Sequence, residues 1–122
     1  MKKYVFVYGT LKKGFGNSRV MNQAKGQYIG NGIMKNVIMR DIGGIPAVDI
    51  GDGVVYGEVY KIDSDNIYII DGLEGFSPYN TFYDNMYIRL KNNVIMDNGD
   101  ILKCCFYMIN DTQGNIIKDG VW

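Results

Sequence analysis

The sequence predicts one β-rich α+β domain, a small barrel of short strands that carries one or two short helices. Hydrophobic residues make up 47% of the 122 residues, which is enough for a modest core without disulfides or metal. Glycine is frequent, with 16 residues against only two prolines, and this composition is typical of many turns between strands. No internal repeat, charge run or shift in composition marks a boundary, so we expect a single domain over residues 1–122.

The first half of the chain reads as a strand, a short helix and a series of further strands. The run from Tyr4 to Tyr8 is apolar on both faces, as in a strand buried in a sheet or barrel, and Gly9 ends it. Asn17 or Ser18 can cap a short helix that stops at Gly26. An antiparallel meander with glycine turns at 43–44 and 51–53 is then predicted from four β-prone runs: residues 28–34, 36–40, 45–49 and 54–60.

The second half contains a longer helix and a hairpin. The helix is predicted from a cap at Asp63 or Ser64 to Glu74, with Gly75 as its left-handed terminator. Two long strands follow at 82–90 and 101–109, with a weaker one at 94–96 and a turn at 98–99. The tail after residue 110 has little pattern.

Charge and hydropathy argue against two classes of binding partner, nucleic acids and membranes. Thirteen basic residues balance 13 acidic ones, so no net charge directs the protein to nucleic acid or to an anionic membrane. The apolar run near the N-terminus is too short for a secretion signal or a membrane span. We therefore expect a cytoplasmic protein without a nucleic-acid or membrane partner.

The chain contains no histidine, which excludes a Ser-His or Cys-His relay and a His-liganded zinc. Cys104 and Cys105 are adjacent, so they offer neither a loop-closing disulfide nor metal-site spacing, and they are predicted to be reduced strand residues. We expect no metal and no cofactor. Proton transfer near neutral pH must then use another residue type.

Tyr8, Gly9, Thr10 and Leu11 form the first candidate site. A buried strand stops at a glycine and then presents successive backbone N–H groups, which can bind a carboxylate without a cationic side chain. The same residues also fit an ordinary strand-end turn, and residue type alone leaves both interpretations open.

The second candidate site is the end of the second helix, where Asp71 and Glu74 lie at positions i and i+3. A glutamate at a helix C-terminus meets the negative end of the helix dipole, and apolar neighbours remove water, so both effects should raise the pKa of Glu74 toward that of a general base. A solvated acidic helix end is the alternative. Glu58, the other glutamate, competes for the role or simply faces solvent.

Tyrosines and arginines are weaker candidates. Several tyrosines lie on or near the late strands and could line a pocket, although packing is the default for most of them. Arg19 and Arg89 are scattered and are more typical of surface charges than of a phosphate site.

In order along the chain, these segments resemble the γ-glutamylcyclotransferase-like (AIG2-like) family, close to its γ-glutamylamine cyclotransferase branch. The resemblance covers about residues 4–109 and rests on four segments: Val5-Phe6-Val7-Tyr8-Gly9-Thr10-Leu11-Lys12-Lys13-Gly14 with Asn17 and Arg19, Ile45-Pro46-Ala47, Val55-Tyr56-Gly57-Glu58-Val59-Tyr60 and Ile70-Asp71-Gly72-Leu73-Glu74-Gly75.

The resemblance implies a small mixed β-barrel whose cavity binds a γ-glutamyl compound. It implies that residues 8–11 form the substrate loop and that Glu74 is the catalytic acid/base. The activity implied is cyclisation of a γ-glutamyl amine or amino acid to 5-oxoproline, in which the substrate's own α-amino group attacks its γ-carbonyl and an amine leaves. No enzyme nucleophile is then required, because a curled substrate supplies the effective molarity and one carboxylate moves the proton.

One departure from the family pattern concerns the strand after Glu74. There the family often has a tyrosine followed two residues later by arginine, whereas Tyr83 is followed by Asn85. Tyr83 is therefore only a candidate pocket residue. The departure keeps an alternative function open, a non-catalytic protein that binds a small metabolite in the same cavity.

Overall fold

The computed structural model describes residues 1–9, 18–42, 44, 46–74, 87–109 and 114–122. Strands dominate this part of the chain, and a short 3-10 turn, Ser64–Asn66, precedes the second helix. Its helices and strands are β1 Lys2–Val7, α1 Ser18–Gln23, β2 Gln27–Asp41, β3 Pro46–Asp63, α2 Ile67–Glu74, β4 Tyr87–Met96, β5 Ile101–Ile109 and β6 Asn115–Ile117.

The described strands close into a mixed barrel. They form one sheet in the order β3-β1-β5-β4-β2-β6, and a further pairing of β2 with β3 joins the ends of the first five strands. The β1–β5 pair is parallel, whereas the other pairs are antiparallel. The predicted α+β barrel with short helices is therefore confirmed.

The predicted turn at residues 51–53 is wrong, because these residues lie inside the 18-residue strand β3. β3 pairs with β2 on both sides of this segment, but the register shifts across it. Lys35 pairs with Val54 and Val37 with Ile50, so residues 51–53 of β3 lie opposite Asn36 alone, which has a φ of 63°. A Cβ at Gly51 would come within 2.6 Å of the Ile38 side chain. The glycine is needed for this close approach rather than for a change of direction.

Helix α1 ends differently from the prediction. Gly26 was expected to stop it, but Lys25 takes the left-handed conformation, with a φ of 56°. The amide of Gly26 donates to the Met21 carbonyl at 2.9 Å, which satisfies one carbonyl of the last turn. A Cβ at Gly26 would lie 2.3 Å from the Met21 sulfur, so glycine is required here for space.

Three further segments refine the predicted elements. The α2 region begins as a 3-10 turn, and Asp63 precedes it without a side-chain capping hydrogen bond. The weak strand predicted at 94–96 is the end of β4, and the turn at Asn98 and Gly99 is confirmed, with Gly99 at a φ of 90°. The tail is more ordered than its sequence suggests, because β6 pairs with the end of β2.

Two buried clusters lie on opposite faces of the barrel wall. The barrel core contains side chains from strands and from Tyr8 at the end of β1, among them Phe6, Val59 and Phe106. The helix-side core lies outside the barrel, where Val5, Val7, Cys105 and Tyr107 of the sheet pack against these residues of the two helical regions: Met21, Ala24, Ile67 and Ile70. Among the residues that the structure describes, no helix is long and apolar enough to cross a bilayer.

Adjacent cysteines belong to different cores. Cys104 faces the barrel core and Cys105 the helix-side core, because successive side chains of a strand point to opposite faces. Both thiols are buried and reduced, as predicted. Burial raises the pKa of Cys104 to about 12, so this thiol stays protonated near neutral pH.

Candidate functional site

One residue of β5, Tyr107, contacts both the residue that follows β1 and helix α2. Tyr8 and Gly9 directly follow β1, and Glu74 is the last residue of α2. Thr10, Leu11 and Tyr83 lie outside the described residues, as does the side chain of Glu74. Their proposed roles stay predictions.

Gly9 lies against the start of β3. A Cβ at Gly9 would come within 2.5 Å of Cγ of Pro46, so any larger residue would displace the proline or the loop. The requirement for glycine thus comes from a contact between the end of β1 and the segment that contained the Ile45-Pro46-Ala47 match. These two parts of the family-like pattern lie next to each other in space.

The Tyr8 side chain is buried in the barrel core, with 7% of its surface exposed. Its hydroxyl donates to the main-chain carbonyl of Tyr107 on β5 at 2.6 Å. The side chain therefore fixes the end of β1 against a neighbouring strand.

Asp71 is a buried carboxylate one helical turn before Glu74, and 5% of the residue is exposed. Its Oδ1 accepts a hydrogen bond from the Tyr107 hydroxyl at 2.5 Å. Its Oδ2 accepts one from Nη1 of Arg89 at 2.6 Å. Tyr107 and Arg89 are directly opposite each other on β5 and β4, so a single carboxylate binds a cross-strand pair.

These contacts form a continuous set of hydrogen bonds, which we call the Asp71 network and define by Tyr8, Asp71, Arg89 and Tyr107. It connects the helix that ends at Glu74 with Tyr8, the residue that directly follows β1. The ion pair balances the Asp71 charge inside a largely apolar surrounding, where an unpaired carboxylate would be costly.

Arg89 belongs to the candidate site, although its position in the sequence is more typical of a surface charge. Only 20% of its side chain is exposed, and it pairs with the acidic segment. The sequence contains a signal for Arg89. In the family, a tyrosine is often followed two residues later by an arginine on the strand after the acidic helix. Tyr87 and Arg89 have this spacing at the start of β4, whereas Tyr83 and Asn85 do not.

Glu58 lies in a different environment. It is directly opposite Val7 in the β1–β3 pair, and its Oε1 accepts a hydrogen bond from the Tyr60 hydroxyl at 3.1 Å. Burial and the nearby Glu58 carboxylate raise the pKa of Tyr60 to about 12, so the phenol stays a donor. Glu58 also borders a surface pocket of about 340 Å³ that has these other lining residues: Asn31, Gly32, Ile33, Tyr56, Gly57, Asp97 and Val121.

The protein belongs to the class of small mixed β-barrels in which a glycine follows the first strand and a helix ends at an acidic residue. Residues 5–122 match the family model described as "Gamma-glutamyl cyclotransferase, AIG2-like". The chain therefore belongs to the AIG2-like γ-glutamylcyclotransferase family, as the resemblance implied.

Individual relatives agree with this assignment. The chain is 32% identical over 120 residues to MJ1514 of Methanocaldococcus jannaschii, which is named as a candidate γ-glutamylcyclotransferase, and the match covers 97% of this chain and 93% of that protein. It is 38% identical over 69 residues to the family member YtfP of Escherichia coli K12, over 57% of this chain and 59% of that protein. The crystal structure of a mouse AIG2-like protein superposes with a TM-score of 0.72 at 27% identity, covering 89% of this chain and 78% of that one.

Proposed function

We propose that the protein is a γ-glutamylcyclotransferase that converts a γ-glutamyl amine or a γ-glutamyl amino acid to 5-oxoproline and releases the amine. The γ-glutamylamine branch is the proposed subtype, on the strength of the N-terminal segment from Val5 to Gly14. The observation that carries the proposal is the Asp71 network, because it ties the helix that carries Glu74 to the strand that leads into the Gly9 loop.

The reaction needs little from the protein beyond positioning and proton transfer. Glu74 removes a proton from the substrate ammonium, and the free amine attacks the γ-carbonyl of the same molecule. The C–N bond of the five-membered lactam forms, Glu74 returns its proton to the leaving nitrogen, and the bond to that nitrogen breaks. The new lactam nitrogen gives up its second proton, which the released amine takes up as it becomes an ammonium ion. Holding the substrate chain curled makes attack intramolecular, which is the larger contribution to the rate.

The main-chain amides of Gly9, Thr10 and Leu11 are proposed to bind the substrate carboxylate or the oxyanion that develops on the γ-carbonyl. Backbone donors suit this role because they are fixed by the fold and need no reorganisation as charge develops. Tyr8 would contribute through its main chain, since its hydroxyl is bonded to the Tyr107 carbonyl. Tyr83 stays a proposed pocket residue.

The first prediction tests Glu74 directly. The purified protein is incubated with a panel of γ-glutamyl amines and γ-glutamyl amino acids, and 5-oxoproline is quantified by mass spectrometry. Glu74→Gln should lower kcat by about 10²-fold or more with the fold retained, because general acid/base catalysis typically contributes this much.

Glu58→Gln is the matched comparison, since Glu58 is the other glutamate of the chain. We expect it to keep turnover. Loss of turnover in Glu58→Gln with normal rates in Glu74→Gln would transfer the base to Glu58 and its pocket. Saturable binding of the panel compounds with no product from the wild-type protein would instead establish the non-catalytic binding protein.

A further inference from the structure

The end of α2 is held by directional contacts in addition to packing. Ile67 and Ile70 fill the helix-side core, and apolar packing of this kind tolerates small shifts of a helix along its partner. Asp71 adds two short hydrogen bonds, at 2.5 and 2.6 Å, whose geometry allows little movement. The last turn of α2 is therefore fixed in position against β4 and β5.

Both oxygens of Asp71 are used, and they reach different strands. Because Tyr107 and Arg89 are register partners, the carboxylate lies across the β4–β5 pair rather than along one strand. A shift of α2 along or across the sheet would lengthen at least one of the two bonds.

The network then reaches β1 through Tyr107. The side chain of this residue holds α2, and its main-chain carbonyl accepts the Tyr8 hydroxyl. β1 and β5 are neighbours in a parallel pair, with Val5 opposite Cys105. One residue thus connects the end of the helix with the last residue before Gly9.

We propose that Asp71 is a positioning residue which, through Tyr107 and Arg89, sets the distance between the Glu74 end of α2 and the loop that begins at Gly9. The inference rests on the proposed function and deepens it, because it assigns a role to a second carboxylate of the acidic segment. Both oxygens of Asp71 accept hydrogen bonds from protein donors, so the proposal gives this carboxylate a positioning role and leaves proton transfer to Glu74.

A buried ion pair by itself is weak evidence of added stability, since well-packed apolar residues often stabilise a fold equally well. Specificity of position is the better-supported use of such a pair. Displacing a catalytic group by about 1 Å can lower a rate by about 10²-fold even when the fold is intact. The effect of losing Asp71 should accordingly appear in kcat more than in global stability.

The test compares Asp71→Asn with Ile70→Val, its neighbour in α2. Ile70→Val removes one methyl group from the packing of the same helix and leaves every bond of the network. Asp71→Asn should lower kcat for 5-oxoproline formation by about 10- to 100-fold while KM changes about threefold or less. Ile70→Val should stay within about twofold of the wild-type kcat.

Hydrogen exchange followed by mass spectrometry gives a second readout that needs no substrate. Peptides that cover residues 8–11 and peptides that cover α2 should both exchange faster in Asp71→Asn. In Ile70→Val, only the α2 peptides should change. Unchanged exchange in residues 8–11 of Asp71→Asn, together with a kcat equal to that of Ile70→Val, would overturn the proposal.

Tyr107→Phe covers the case in which Asp71→Asn does not fold, because it removes a single hydroxyl and keeps the Asp71–Arg89 pair. It should show the same faster exchange in residues 8–11 and a smaller fall in kcat. Exchange and kcat like those of the wild-type protein would overturn the proposal. If the wild-type protein forms no 5-oxoproline from any panel compound, the proposed reaction fails, and the exchange data alone decide the positioning role.

Discussion

The two faces of the barrel wall are stabilised in different ways. Inside, the barrel core is filled mainly by apolar and aromatic side chains such as Phe6 and Val59, whose contacts are non-directional, and the Tyr8 hydroxyl adds one hydrogen bond. Outside, the helix-side core includes the buried Asp71 carboxylate, which binds two strands through hydrogen bonds. The inside depends on close packing, whereas the outside depends in addition on hydrogen bonds that hold α2 at one particular place. The Asp71 carboxylate thus lies in the part of the molecule where the proposed chemistry requires a fixed geometry.

Phe6→Ala tests the apolar face and should have the largest effect on stability. Phe6 is 1% exposed, and truncating a buried phenylalanine costs about 3–5 kcal/mol. Urea unfolding measures the loss, with Phe6→Leu as the milder control. If the inner face only supplies packing, the folded fraction of the variant should keep its kcat, and a large fall in kcat with little loss of stability would contradict this view.

Arg89→Met tests the polar face. It leaves the Asp71 carboxylate buried without its cation, and breaking such a pair costs about 3 kcal/mol. Adding Asp71→Asn to Arg89→Met should restore part of the stability, since the uncompensated charge is then gone. Denaturant midpoints of the two single variants and the double variant measure this coupling, and simple additivity would show that the pair is not coupled.

Substitution by alanine at two glycines, Gly57 in β3 and Gly72 in α2, should change the stability in opposite directions. A Cβ at Gly57 would lie 2.4 Å from the Val7 carbonyl oxygen and 2.7 Å from the Phe6 ring, so Gly57→Ala should destabilise the protein by about 1–3 kcal/mol. A Cβ at Gly72 of α2 meets nothing within 4 Å, so Gly72→Ala should stabilise it by about 0.4–1 kcal/mol. Thermal melts of the two variants check both signs.

The smallest effect is expected far from both cores, at the surface ion pair of Lys2 and Asp63, where the charged atoms are 2.6 Å apart. The Lys2 ammonium lowers the pKa of Asp63. The pair therefore contributes above the ordinary aspartate pKa, and its contribution is lost as the pH falls through the lowered value. Asp63→Asn should cause a small loss of stability at neutral pH that disappears in acid and in high salt. A loss that persists in acid would show that Asp63 acts by other means.

Much of the fold could be predicted because it depends on local pattern. The first strand, the helix that ends at Glu74 and the turn at Gly99 follow from apolar runs, helical spacing and turn residues. The failure at Gly51 is instructive. Glycine is the usual signal for a turn, but here it makes room for Ile38 of the partner strand, and that contact cannot be inferred from neighbours in the sequence.

Some residues of the candidate site can likewise be predicted from local motifs, whereas others depend on contacts that only the fold makes. Gly9 and Glu74 are candidates from short motifs, whereas Arg89 pairs with a carboxylate that only the fold brings close to it. Its partner Asp71 lies 18 residues earlier in the chain. The family's tyrosine–x–arginine spacing is absent at Tyr83, which is followed by Asn85, and is present four residues later at Tyr87 and Arg89.

The sequence by itself determined the β-rich class, the two short helices and the family to which the chain belongs, because residue propensities and ordered motifs are properties of neighbouring residues. It predicted four short strands where the structure has the long pair β2 and β3, and it did not predict β6. Only the tertiary structure decided that Asp71 is buried against the β4–β5 pair and that hydrogen bonds connect its carboxylate through Tyr107 to the end of β1. Such a connection depends on the parallel pairing of β1 with β5, which brings Tyr8 next to Tyr107 although the two residues are 99 positions apart.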